Sequence, residues 1–82
     1  MKIVSVKDRA IETYATPFFV RTIAEAIRSF NDETNRQQSI IGDHPEDYDL
    51  YEIGEFNNET GAIIGTNPIC RARAQDLKRP IE

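Results

Sequence analysis

Tryptophan is absent from this chain, and cysteine, methionine and histidine occur once each. A single thiol, Cys70, forms no internal disulfide, and one cysteine with one histidine, His44, offers no zinc-ligand cluster. The lone thiol fits a reducing compartment. No apolar run approaches the ~20 residues of a membrane helix. The opening MKIVSVKDRA lacks the apolar core of a signal peptide. The expectation is a cytoplasmic protein that holds no metal or cofactor and avoids membranes. With 82 residues and none of the usual covalent staples, it is read as one small domain, 1–82, whose core is modest unless oligomerisation adds buried surface.

Basic residues are missing from one long stretch. Residues 42–61, GDHPEDYDLYEIGEFNNETG, hold seven carboxylates (Asp43, Glu46, Asp47, Asp49, Glu52, Glu55, Glu59) and neither Lys nor Arg. The formal charge is −4 overall, divided as +1 over residues 1–36, −7 over 43–59 and +2 over 60–82. An acidic total argues against indiscriminate coating of nucleic acid, whose affinity comes mostly from neutralising phosphates. It leaves room for a local basic patch, because charges act over about a Debye length, ~8 Å in physiological salt. The acids do not spell a calcium loop. Counting from Asp47, the sixth position is Glu52 rather than Gly and the last is Asn58 rather than Glu.

The remaining pattern reads as α+β. Residues 2–6, KIVSV, are a β-branched strand. Thr16-Pro17 looks like a helix start, and Phe19, Ile23, Ile27 and Phe30 then fall on one helical face, giving an amphipathic helix over about 17–35. Residues 36–42 read as a loop closed by Gly42, and 43–46 as a proline turn. Tyr48–Phe56 reads as a strand with Gly54 at a bulge. Asn57–Gly61 makes a hairpin loop, giving a hairpin over about 49–66. Residues 69–77 have two readings: a strand with Cys70 and Ala72 inward and both arginines outward, which we prefer, or a helix capped at Asn67-Pro68. The architecture expected is one amphipathic helix packed on a small three- to four-stranded, mainly antiparallel sheet.

Candidate sites are few. Arg71, Arg73, Lys78 and Arg79, in the basic segment 69–82, are the only cationic excess and form a candidate nucleic-acid contact, with Lys2 and Lys7 as helpers. The bland reading is a polar chain end. Tyr14, Tyr48 and Tyr51 suit stacking on bases, but tyrosines of a small domain pack in the core as a rule. Arg21–Glu25 and Arg28–Asp32 are i,i+4 pairs on a self-neutralised helix surface. Cys70 reads as a small buried residue. His44, in a turn, has no nucleophile near it in sequence, so no catalytic set assembles and the protein reads as no enzyme.

Three segments, MKIVSVKDRA, TPFF leading into RTIAEAIRSFNDETN, and HPEDYDLYEIGEFNNETG, together resemble the small nonstructural protein of gokushoviruses, single-stranded DNA phages of the Microviridae. The resemblance implies a nonstructural phage protein in the cytoplasm of the infected bacterial host. It also implies a DNA-related role, in the switch from duplex replication to single-strand DNA synthesis and packaging, and some members are described as DNA-binding. No functional residue is carried over from the family. The loop NNETG departs from relatives that have more acids there. The expectation is an accessory, DNA-binding factor that contacts single-stranded DNA. The alternative is a protein-interaction module whose acids Asp47, Asp49, Glu52 and Glu55 meet a basic replication or capsid protein. A homo-oligomer suits either, since repeating a weak patch raises avidity.

Overall fold

A computed structural model describes residues 1–80, so the last two residues of the basic segment lie outside it. The elements in chain order are β1 (Lys2–Asp8), β2 (Thr13–Tyr14), β3 (Phe18–Val20), α1 (Ile23–Thr34), α2 (Ile40–Asp43), a 3-10 turn (Pro45–Asp47), β4 (Tyr48–Phe56), β5 (Ile63–Arg73) and α3 (Ala74–Leu77). All strand pairings are antiparallel and give one five-stranded sheet in the order β2-β1-β4-β5, with β3 also paired to β1. The α+β expectation holds, with one strand more than the sequence reading allowed.

β2 adds a two-residue pairing ahead of the expected helix, and β3 comes from the segment read as the helix's first turn. Phe18, Phe19 and Val20 pair with Val4, Ile3 and Lys2 instead. Aromatic and β-branched residues fit a pleated surface, and here they complete the outer edge of β1. α1 begins six residues after Thr16, at the N-cap Thr22, whose hydroxyl accepts the Glu25 N–H at 3.1 Å. The Glu25 carboxylate in turn accepts the Arg21 N–H at 3.2 Å, a variant of the reciprocal capping box. The helix ends close to where expected, with Asn35 as C-cap. The loop expected over 36–42 is half right: Ser39 caps a single turn at 40–43.

The core is small. Val4, Val20, Ala26, Phe30, Leu50 and Ala74 are buried, with Val6, Ile23, Ile27, Ile41, Tyr48, Ala72 and Leu77 packed around them. α1, α2 and α3 all contribute to this one cluster, so all the helices cover the same face of the sheet. Asn35 ties the end of the chain to α1: its amide donates to the Leu77 carbonyl at 3.0 Å and its carbonyl accepts the Arg79 N–H at 2.8 Å.

The β4–β5 hairpin is longer than expected. Its loop turns at Gly61, φ +77°, as the sequence indicates, but the return strand runs to Arg73. Residues 69–73 follow the preferred strand reading; the helix reading fails at its cap, because Asn67 and Pro68 lie inside β5 and the single turn Ala74–Leu77 starts from Arg73. Register breaks between Glu52 and Gly54, as Gly54 suggested, and again between Leu50 and Tyr51, where Arg71 is the extra residue on β5. That second bulge corrects the assignment of Cys70. Ala72 opposes Leu50 and is half-buried, whereas Cys70 opposes Tyr51 on the other face and is exposed.

Candidate functional site

Strand alternation sorts the side chains onto two faces. Val4, Val6, Leu50 and Ala72 face the helices. Among the described residues no helix lies on the opposite face. On it lie Ile3, Ser5 and Lys7 of β1, Tyr14 and Phe19 from the two short outer strands, Asp49 and Tyr51 of β4, and Ile63, Cys70 and Arg73 of β5.

Two aromatic pairs occupy this open face. The Tyr14 and Tyr51 rings meet edge to face at 5.6 Å, and Phe19 and Phe56 do the same at 5.6 Å. The Lys7 ammonium sits 5.5 Å from the Tyr14 centroid and 6.0 Å from that of Tyr51, within cation–π range. In the ladder Lys7 opposes Tyr14 and Ile3 opposes Phe19. The two stations are therefore four residues apart along β1, about 13 Å at ~3.3 Å per residue. Tyr14 and Phe19 are 38% and 46% exposed, enough to present ring faces to solvent.

Lys7, Arg9 and Arg73 bring positive charge to this face, and Glu12, Glu46 and Asp47 border Lys7 and Arg9 at its rim. Asp49 is buried, opposes Lys7 and Arg73 in register, and lies 3.8 Å from Arg9. Three cations thus surround one carboxylate. Lys7 has no ion-pair partner among the described residues.

The six cations named from sequence separate into three places. Lys7 and Arg73 lie on the open face. Lys2 and Arg71 lie on the other side and are held by carboxylates: Lys2 contacts Glu55 at 2.9 Å and Glu52 at 3.7 Å, and Arg71 reaches Glu52 through two N–H groups at 2.9 and 2.7 Å. The hydrogen bond from Lys2 holds the Glu55 carboxyl below its ordinary range and raises the Lys2 ammonium in return. Lys78 and Arg79 sit beyond α3, beside Asn35 and Arg36. The four acids named as the alternative site are scattered as well. Asp49 and Glu52 are buried, Glu55 is engaged with Lys2, and Asp47 lies in the 3-10 turn, where its carbonyl accepts the Arg9 N–H at 2.7 Å.

Sequence reasoning missed Arg9, Phe19 and Phe56. The usable signal was the alternation in β1, which puts Ile3, Ser5 and Lys7 on one side and the core residues Val4 and Val6 on the other, as in a sheet with one uncovered face. On the 3-10 turn, His44, Glu46 and Asp47 bring ligand atoms within 4.8 Å of one another, with His44 and Glu46 exposed. That group is a solvated turn and is assigned no role.

A family model described as Phage ORF5 protein matches residues 1–77. The chain belongs to the Phage ORF5 protein family. The match spans all five strands and the whole open face, and stops short of Lys78 and Arg79. It supports a small phage protein, consistent with the gokushovirus resemblance, in a family that is not a known enzyme family. No curated protein and no solved structure matches the chain. No helix among the described residues is long and apolar enough to cross a membrane.

Proposed function

We propose that this member of the Phage ORF5 family binds single-stranded DNA on the open face of its sheet. It would act as a non-enzymatic accessory factor in viral single-strand DNA synthesis and packaging, in the cytoplasm of the infected host. The observation that carries the reading is the Lys7 ammonium seated over the Tyr14–Tyr51 pair on a helix-free face, with a second aromatic pair about 13 Å along the same strand. Unpaired bases stack on aromatic rings whatever their sequence, and nearby cations hold the backbone. Bases inside a duplex are already stacked, so exposed rings that can take a base favour the single strand. Of the six cations named from sequence, the proposal uses Lys7 and Arg73, and it adds Arg9. A basic protein partner for Asp47, Asp49, Glu52 and Glu55 has less support, because two of the four are buried and Glu52 and Glu55 are already paired.

The test is fluorescence anisotropy of a labelled single-stranded oligonucleotide at two salt concentrations, with a duplex control. Binding should favour the single strand and weaken with salt. Tyr14→Ala and Tyr51→Ala should each lose ~1–3 kcal/mol, roughly five- to 150-fold in affinity. Lys7→Gln with Arg73→Gln should reduce the salt slope by about 1.4, while Lys78→Gln with Arg79→Gln leaves it unchanged. Absence of binding at low salt, or loss confined to the Lys78/Arg79 variant, would overturn the proposal.

A further inference from the structure

The last strand is exposed along nearly its whole length. β5 pairs only with β4, and ten of its eleven residues are exposed. Ile63 and Ile64 are 66% and 60% exposed although they point to opposite faces of the sheet. Ile63 borders a groove of about 310 Å³ with Ile3, Pro17, Phe19, Ile53 and Gly65. The end of the sheet that holds them has no helix on either face. A long edge strand with isoleucines on both sides is a template for another strand.

We infer that a second copy of this chain docks there, joining β5 to β5 antiparallel about a two-fold axis near Gly65. Three observations select this occupant and register. The first is surface area. A 9.4 kDa monomer is expected to expose about 5,000 Å², and this chain exposes 5701 Å². The excess of roughly 700 Å² is close to the ~800 Å² that each partner contributes to a standard interface. The molecule is also extended, 48 Å along its longest axis.

The second observation is charge. Residues 62–70, AIIGTNPIC, contain no charged side chain, while Arg71 and Arg73 follow directly. A two-fold axis placed at the arginine end would set like charges against each other. An axis near Gly65 sets neutral residues against neutral residues and turns the Glu59 end of one copy towards the Arg71 end of the other.

The third is backbone chemistry. Pro68 has no N–H to donate and lies in the stretch of β5 between the pairings of Gly65 and Ile69. It confines the shared ladder to the Ile63–Asn67 side. An added Cβ at Gly65 meets nothing within 4 Å, so a cross-linking side chain has room at the proposed axis. This inference stands apart from DNA binding.

Sedimentation equilibrium of the full chain, without DNA, tests it. Wild type should give twice the 9.4 kDa chain mass at micromolar concentration. Ile63→Glu with Ile64→Glu should give the single-chain mass with an unchanged far-UV circular dichroism spectrum. In a Cys70→Ser background, Gly65→Cys should form a disulfide-linked dimer on mild oxidation. A wild type that stays monomeric to about 1 mM would overturn the inference. So would a double-Glu variant that remains dimeric, or a dimeric Gly65→Cys protein that fails to cross-link.

Discussion

Gly54 sits where β4 lies close against β5. A methyl group there would stand 2.6 Å from the Ile64 carbonyl oxygen, so β4 and β5 cannot keep their separation. Gly54→Ala should lower stability by ~1–3 kcal/mol, read as a fall in thermal midpoint. Leu50, fully buried at the centre of the core, should cost ~2–5 kcal/mol as Leu50→Ala. Tyr48 gives a pH dependence. Burial pushes its phenol above the ordinary 10.0, and the Asp8 charge and hydrogen bond add to the shift. A raised folded pKa means the neutral form is favoured by folding. Its contribution is complete below pH 10 and is lost as pH rises through the folded value. Tyr48→Phe should therefore flatten the loss of stability above about pH 10, measured by urea titration at pH 8 and pH 11. Lys2, also raised, would keep some alkaline slope in that variant.

Among the elements, α1 depends on its first turn. Thr22→Ala removes the side-chain oxygen that accepts the Glu25 N–H and should cost ~1 kcal/mol in a thermal melt. The same cap shows how far the sequence was legible. Two threonines competed for the helix start. Thr16-Pro17 has the proline, but Thr22-Ile23-Ala24-Glu25 has the reciprocal pair, and the competing demand of β1 for an edge partner decided between them. Helical spacing placed Phe19 with Ile23 and Ile27. Only the ladder shows that Phe19 belongs to a strand and faces away from the helix. β4, its bulge and the Gly61 turn were readable because each depends on local chemistry. The open face was not, because it collects residues from five strands. Cys70 was misplaced by one bulged residue, Arg71, which reverses the alternation and leaves no mark in composition. The cations of the basic segment were close in sequence, and the turn into α3 sends Arg73 and Lys78 to different parts of the surface.

At the scale of the whole molecule, the helices serve one side of the sheet and leave the other for contact. If two chains share β5, their open faces become one surface. A single strand of DNA could then engage both copies. Breaking the dimer with Ile64→Glu alone, on the face away from the aromatic rings, should weaken binding of a long oligonucleotide at least about tenfold through lost avidity. Binding of one short enough for a single copy should change little. Anisotropy with oligonucleotides of two lengths distinguishes this from direct damage to the face, which would weaken both.

The position of β1 governs how the molecule is made. This strand is inside the sheet, yet its partners in β4 lie 40 to 53 residues later, from the Asp8↔Tyr48 pair to Lys2↔Glu55. Synthesis at ~5–20 residues per second leaves its β4 edge unpaired for seconds, and such distant pairing folds slowly, in milliseconds to seconds. Throughout that interval the strand has only the short partners β2 and β3 along one edge, and the edge that β4 will cover is bare beside Ile3, Val4 and Val6. Lys2 before them and Lys7, Asp8 and Arg9 after them flank the run with charge, as gatekeepers do around unavoidable hydrophobic strands. The same lysine that sits over the tyrosine rings in the finished protein thus guards the nascent chain against aggregation.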